Sequence, residues 1–190
     1  MTTEAIQTIK EITTTLAKIR EHKPCKSGWV KLHKSLGGIK SYGLHTPVKF
    51  SQIAESNGLD AAVWCLRSIC PEHEKEVRLF AADCAESVLH LYEKEYDDTR
   101  PRDAIQAARD FANGLIDDGV RAAACSAAMT AWYAAYSASG DAARAAACSA
   151  WSAARDAGDV AWDAVSYSMD AGDAGDARDA QVKMLIKRFG

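Results

Sequence analysis

Four Gly-Asp pairs, at 140/141, 158/159, 172/173 and 175/176, punctuate the second half of the chain, and most of what separates them is alanine. Glycine ends a helix because it takes up a left-handed backbone without strain, and aspartate opens one because its carboxylate accepts the first free N–H groups. A chain written this way is expected to fold as helices with tight joints. Between the joints runs one large residue per turn: Cys125, Met129, Trp132 and Tyr136, then Cys148 and Trp151, then Trp162, Val165 and Met169. Alanine favours helix and lets axes approach closely, so the spacing points to stacked hairpins. Arg121-Ala-Ala-Ala-Cys-Ser-Ala127 recurs identically at 144–150, and a last segment with Val182, Leu185, Ile186 and Phe189 reads as an end cap. The expectation is an all-α fold, a compact multi-helix array with a C-terminal stack of short Ala-rich helical hairpins.

The first half carries helical signals of another kind. Ile6, Ile9, Ile12, Leu16 and Ile19 have amphipathic spacing over residues 3 to 20, with Thr2 or Thr3 as cap. Pro24 suits the first position of a second helix, which has Cys25, Trp29, Leu32 and Leu36 on one stripe and lysines elsewhere. Gly37-Gly38 ends it, and residues 39 to 49 read as a long loop. Ser56-Asn57-Gly58 closes a further helix, Asp60 caps the next, and Pro71 starts one running to about residue 96 that buries Val77, Phe80, Cys84, Val88 and Leu91. Asp97 to Pro101 forms a turn into a helix that Gly114 stops.

Charge divides the chain. Residues 1–70 hold ten Lys/Arg against five Asp/Glu, and residues 71–190 hold thirteen against twenty-one. The pattern reads as a basic N-terminal helical module, 1–70, and an Ala-rich acidic stack, 71–190, or as one continuous domain. Without a basic, apolar leader or a run of ~20 apolar residues, a cytoplasmic location and no membrane partner are expected. The six cysteines lie in helical patterns without paired short spacing, which points to core positions rather than disulfides or a zinc ribbon.

Two charged constellations stand out as binding candidates. Asp159, Asp163, Ser166 and Asp170 share a helical stripe that Asp173, Asp176 and Asp179 continue, an acidic surface complementary to a basic site on a protein. Asp159, Asp163, Asp170, Asp173 and Asp176 are the candidate contacts. The alternative is an anionic ligand, nucleotide or nucleic acid, at Lys23, Lys26, Lys31 and Lys34, within a cluster where Glu21 is the only acid. Structural roles outweigh metal ligation for His22, Cys25 and His33, and catalysis for Asp83, Ser87 and His90. Phosphate-loop, nucleophile-elbow and paired-His signatures are absent, so no catalytic residue, metal or cofactor is expected.

The stretch Leu79-Phe-Ala-Ala-Asp-Cys-Ala-Glu86, the turn Glu93-Lys-Glu-Tyr-Asp-Asp-Thr-Arg-Pro-Arg102 and the alanine-rich helices after it resemble the all-helical immunity proteins of bacterial polymorphic toxin systems, over about residues 75–175. Relatives of that family occur in bacteriophage genomes. His22-Lys-Pro-Cys-Lys-Ser-Gly-Trp29 and Glu55-Ser-Asn-Gly-Leu-Asp60 are similar to an N-terminal module of phage proteins. The resemblance implies a neutralising binding protein, phage or prophage encoded, whose partner is a bacterial toxin or defence protein. It assigns no residues, and Arg100 and Arg102 beside Asp97 and Asp98 are expected to hold a turn.

Overall fold

Three consecutive β-branched residues resist helix and favour an extended chain, and the Thr13–Thr15 run does form a short strand, β1. The computed structural model describes residues 11–138, 141–153, 155, 160–171 and 174–190. The helix expected over residues 3 to 20 is therefore confined, among those residues, to α1 (Leu16–Glu21), capped by Thr15 accepting the Lys18 N–H; Ile6 and Ile9 lie outside the described residues. Antiparallel pairing sets Thr14 opposite Val48 of β2 (Pro47–Lys49). The expected long loop thus contains a strand, and also a helical turn, α3 (Ile39–Tyr42).

Thr14 is buried, and its hydroxyl lies 2.6 Å from that of Ser68, which in turn donates to the Cys65 carbonyl at 2.6 Å. With the Ser68 proton committed, Thr14 donates to Ser68. Ser68→Ala is expected to cost about 1–3 kcal/mol, because it strands a buried donor, whereas Thr14→Val leaves Ser68 bonded and costs less. Urea unfolding of both variants checks that order.

Helix α2 (Lys26–Ser35) begins after Cys25, whose sulfur caps the Gly28 N–H; Pro24 precedes the cap and Cys25 is exposed, off the expected apolar stripe. A sulfur acceptor at the cap position displaces proline from the role read for it. Helix α4 (Phe50–Asn57) ends at Gly58, where φ is 93°, and α5 (Leu59–Cys65) follows directly, with Asp60 inside its first turn rather than at its cap. A 3-10 turn, Leu66–Ile69, leads to α6 (Glu74–Glu93). Pro71 lies ahead of α6, Glu74 and Glu76 occupy its first turn, and Val77, Phe80, Cys84 and Val88 are buried.

Helix α7 (Arg100–Ala112) has Pro101 in its first turn and stops before Gly114, as its sequence reads. The alanine-rich region forms α8 (Asp118–Ala138), α9 (Asp141–Ala153), α10 (Val160–Ala171) and α11 (Ala174–Phe189). Gly140, Gly158, Asp159, Gly172 and Asp173 fall outside the described residues. Gly175-Asp176 lies inside the first turn of α11 and separates no helices.

The repeated heptapeptide has two different environments. In α9 every residue from Ala145 to Ala150 is buried, since that helix packs against α6, α7, α8 and α10. In α8, which packs on α7 and α9, Ala123 and Ser126 of the same heptapeptide are exposed. A stretch of small uncharged residues belongs in the interior, and residues 145–150 of α9 take that place. Helix α11 lies against α4, α5, α6 and α10, so it joins the alanine-rich helices to the first half instead of covering an outer end. Its Phe189 sits 5.6 Å from Phe50 and 5.7 Å from Phe80, ring centre to ring centre, and one apolar cluster runs from Leu16 to Phe189.

Candidate interaction surfaces

Charged side chains along α6 are largely spent on one another. Asp83 accepts from Arg109 of α7 at 2.9 Å through one oxygen and from Arg188 of α11 at 2.6 Å through the other. Arg188 also reaches Glu76, and Arg109 reaches Glu86, whose carboxyl is held below its ordinary range by that hydrogen bond. Ser87 donates to the Cys84 carbonyl, and His90 is exposed. Asp83 is therefore the centre of a clasp of three helices, and Ser87 and His90 take no part in it. Arg78 and Arg121, both buried, lie 5.0 and 5.3 Å from the Phe111 ring centre, with Glu74 and Asp118 as their carboxylate partners. Neither residue stands out in the sequence, because an isolated arginine in a helix carries no sign that its stem and head will be enclosed.

The turn between α6 and α7 is held by one carboxylate. Asp98 accepts from the Arg100 backbone N–H at 3.0 Å, from the Arg100 guanidinium at 2.6 Å and from the buried Tyr92 hydroxyl at 2.9 Å. The Arg100 hydrogen bonds hold its carboxyl down at about 2. Arg102 pairs instead with Glu93, and Asp97 is exposed. The turn is structural, as its residue types imply.

Of the acidic candidates, Asp163 pairs with Arg155 at 2.6 Å and Asp170 is exposed on α10. Asp159, Asp173 and the Asp176 side chain lie outside the described residues. A surface that sequence reading missed is the outer side of α8. From Ala122 to Ala138 that helix has no charged residue, and Val120, Ala123, Ser126, Thr130 and Tyr133 are exposed, Tyr133 to 58%. Ser126 and Thr130 donate to backbone carbonyls one turn back, so their hydroxyl protons are already placed without water. The signal was an uncharged run of seventeen residues, and its alanines made it read as core.

A cavity of ≈ 220 Å³ opens between α2, α4 and α5. Helix α2 supplies Gly28, Trp29 and Leu32, α4 supplies Ile53 and Asn57, and α5 supplies Ala61, Trp64 and Cys65. Asn57 fastens the walls by donating to the Gly28 carbonyl at 2.9 Å. Burial pushes the Cys65 thiol up to about 12, whereas Cys25 at the mouth is lowered, first by Ser27 and then by the Gly28 N–H. Lys23, Lys26, Lys31 and Lys34 are exposed and have no carboxylate partner among the described residues. The His33 ring packs edge-on to Trp29 at 5.8 Å.

Residues 67–155, from within the 3-10 turn to just past α9, match the family described as Imm-5 like putative immunity protein. The match covers a little under half of the chain, and the helical fold of that segment is compatible with it. No curated protein and no solved structure matches the chain. Among the described residues, no helix is long and apolar enough to cross a membrane.

Proposed function

We propose that the chain is a stoichiometric, non-enzymatic inhibitor that neutralises a bacterial toxin or defence effector by forming a complex with it, and that the uncharged outer face of α8 makes the central contact. The observation that carries this reading is the placement of that face inside the Imm-5 like segment. Interface centres are poor in charge and rich in tyrosine, and a face whose hydroxyls are already bonded to its own backbone loses little on leaving water. Asp170, exposed on α10, is the acidic contact open to a basic toxin site, and Asp163 joins it where the toxin displaces Arg155 from its carboxylate. The phage-like segments at 22–29 and 55–60 support a phage or prophage source, in which case the target includes defence effectors of the host.

The test is co-expression with a panel of bacterial toxin and defence-effector domains, read as rescue of growth and as a one-to-one complex on gel filtration. Rescue from at least one effector is expected, and none across the panel overturns the reading. With a rescued effector in hand, Tyr133→Asp is expected to weaken the complex at least ~30-fold, the loss of a 2 kcal/mol hot spot, with thermal stability unchanged. An unaffected complex removes α8 as the contact.

A further inference from the structure

The cavity between α2, α4 and α5 lies outside the immunity segment, and nothing in the α8 reading uses it. Its size narrows the occupant. At ≈ 220 Å³ it is below the roughly 300–1,000 Å³ of sites for whole small molecules, yet above the ~150 Å³ that is enough to seat benzene. One aromatic side chain fits. The wall is fitted for an apolar guest, since Trp29, Leu32, Ile53 and Trp64 face it and the Asn57 amide is already bonded to Gly28. Gly28 is part of the lining, and a Cβ there would crowd the Cys25 sulfur at 3.1 Å.

The charge at the mouth narrows the occupant further. Pro24 and Cys25 line the cavity, and the residues flanking them, Lys23 and Lys26, are exposed without carboxylate partners among the described residues. Arg67 lies over the Trp64 ring at 4.4 Å. The acid in the wall, Asp60, is paired with Arg178 at 3.0 Å. The mouth is thus cationic around an apolar hole.

We propose that this cavity is a second docking site, which takes a single phenylalanine or tryptophan side chain from an acidic segment of a partner protein, with Lys23 and Lys26 holding the flanking carboxylates. Free nucleic acid is a poorer occupant, because its bases would stack on exposed rings, whereas Trp29 and Trp64 are both half-buried in the wall.

The full chain is the bait for a displayed library of random peptides of about a dozen residues. Enriched peptides are expected to share one Phe or Trp flanked by Asp or Glu. A synthetic peptide of that pattern should shift the Trp29 and Trp64 indole N–H signals in NMR, and should lose about tenfold or more in affinity when its aromatic residue becomes alanine, and again when its acids become lysines. Lys23→Glu with Lys26→Glu, both surface changes, should abolish binding with the circular dichroism spectrum retained; Ala61→Trp should do so by filling the cavity. No enrichment, enrichment without an aromatic residue, or affinity unaffected by the lysine reversals overturns the proposal. So does a single-stranded DNA of about 20 nucleotides that binds these lysines while no peptide does. The outcome is independent of effector rescue, so this site and the α8 reading fail separately.

Discussion

Phe189→Ala is expected to destabilise the protein by about 3–5 kcal/mol, the range for removing a fully enclosed aromatic ring, and to lower Tm by roughly 6–20 °C for a chain of this length. The ring is 1% exposed and tilts between Phe50 of α4 and Phe80 of α6, so its removal leaves a hole where three helices meet. Relaxation is limited there, because the rings on both sides are themselves fully buried. Ile186 on the same helix is 43% exposed, and Ile186→Ala should stay within ~0.5 kcal/mol. Urea unfolding separates the two as a large shift in midpoint against almost none. Equal small effects would mean that α11 is a peripheral helix after all. A double-mutant cycle with Phe80→Leu should return a coupling of about 0.5–1.5 kcal/mol, the value for an aromatic pair beyond its burial.

Phe189 also shows where the sequence was readable and where it was not. Local signals worked wherever the backbone decides: Gly58 ends α4, Arg100-Pro101 opens α7, Gly114 closes it, and the period of Phe80, Cys84 and Val88 marks the buried face of α6. They failed where a partner distant in sequence decides. Thr13–Thr15 sits in a helical hydrophobic period but pairs with Pro47–Lys49, and the Ser68 hydroxyl, more than fifty residues away, favours that outcome. The two copies of one heptapeptide are indistinguishable as sequence, and only their neighbours make one an edge and the other a centre.

The same division holds for function. Lysines at 23, 26, 31 and 34 could be seen to be solvated, but the cavity beside them is assembled from three helices separated by glycine turns, and no spacing within one segment encodes it. The acidic stripe was legible as a pattern, although the pairing of Asp163 with Arg155 draws one of its carboxylates into a local ion pair. The α8 face was hidden by the ambiguity of alanine, which serves a close-packed core and a bare docking face equally well.

The turn in the family-matched segment leads to the second large effect. Asp98→Ala removes the acceptor of the fully buried Tyr92 hydroxyl and of three Arg100 donor groups, the backbone N–H, Nε and one terminal nitrogen, and is expected to cost about 2–4 kcal/mol, most of it for the stranded phenol and the lost charged bonds. Asp98→Asn keeps the shape and part of the acceptor capacity and should cost less. The pH dependence identifies the charge. In the folded protein the Asp98 carboxyl lies at about 2 against an ordinary 3.8, so the unfolded chain takes up the proton first as pH falls. The contribution of the ionised carboxylate is therefore complete above about pH 4 to 5, declines as pH drops through the interval down to about 2, and is gone below it. Unfolding midpoints of the wild-type chain and Asp98→Asn should accordingly converge across that interval and stay apart at neutral pH. If the turn served binding rather than folding, the two would unfold alike at every pH and differ only in affinity for a partner. The geometry favours the first result, because every donor aimed at Asp98 comes from within the turn or from the buried Tyr92 beneath it.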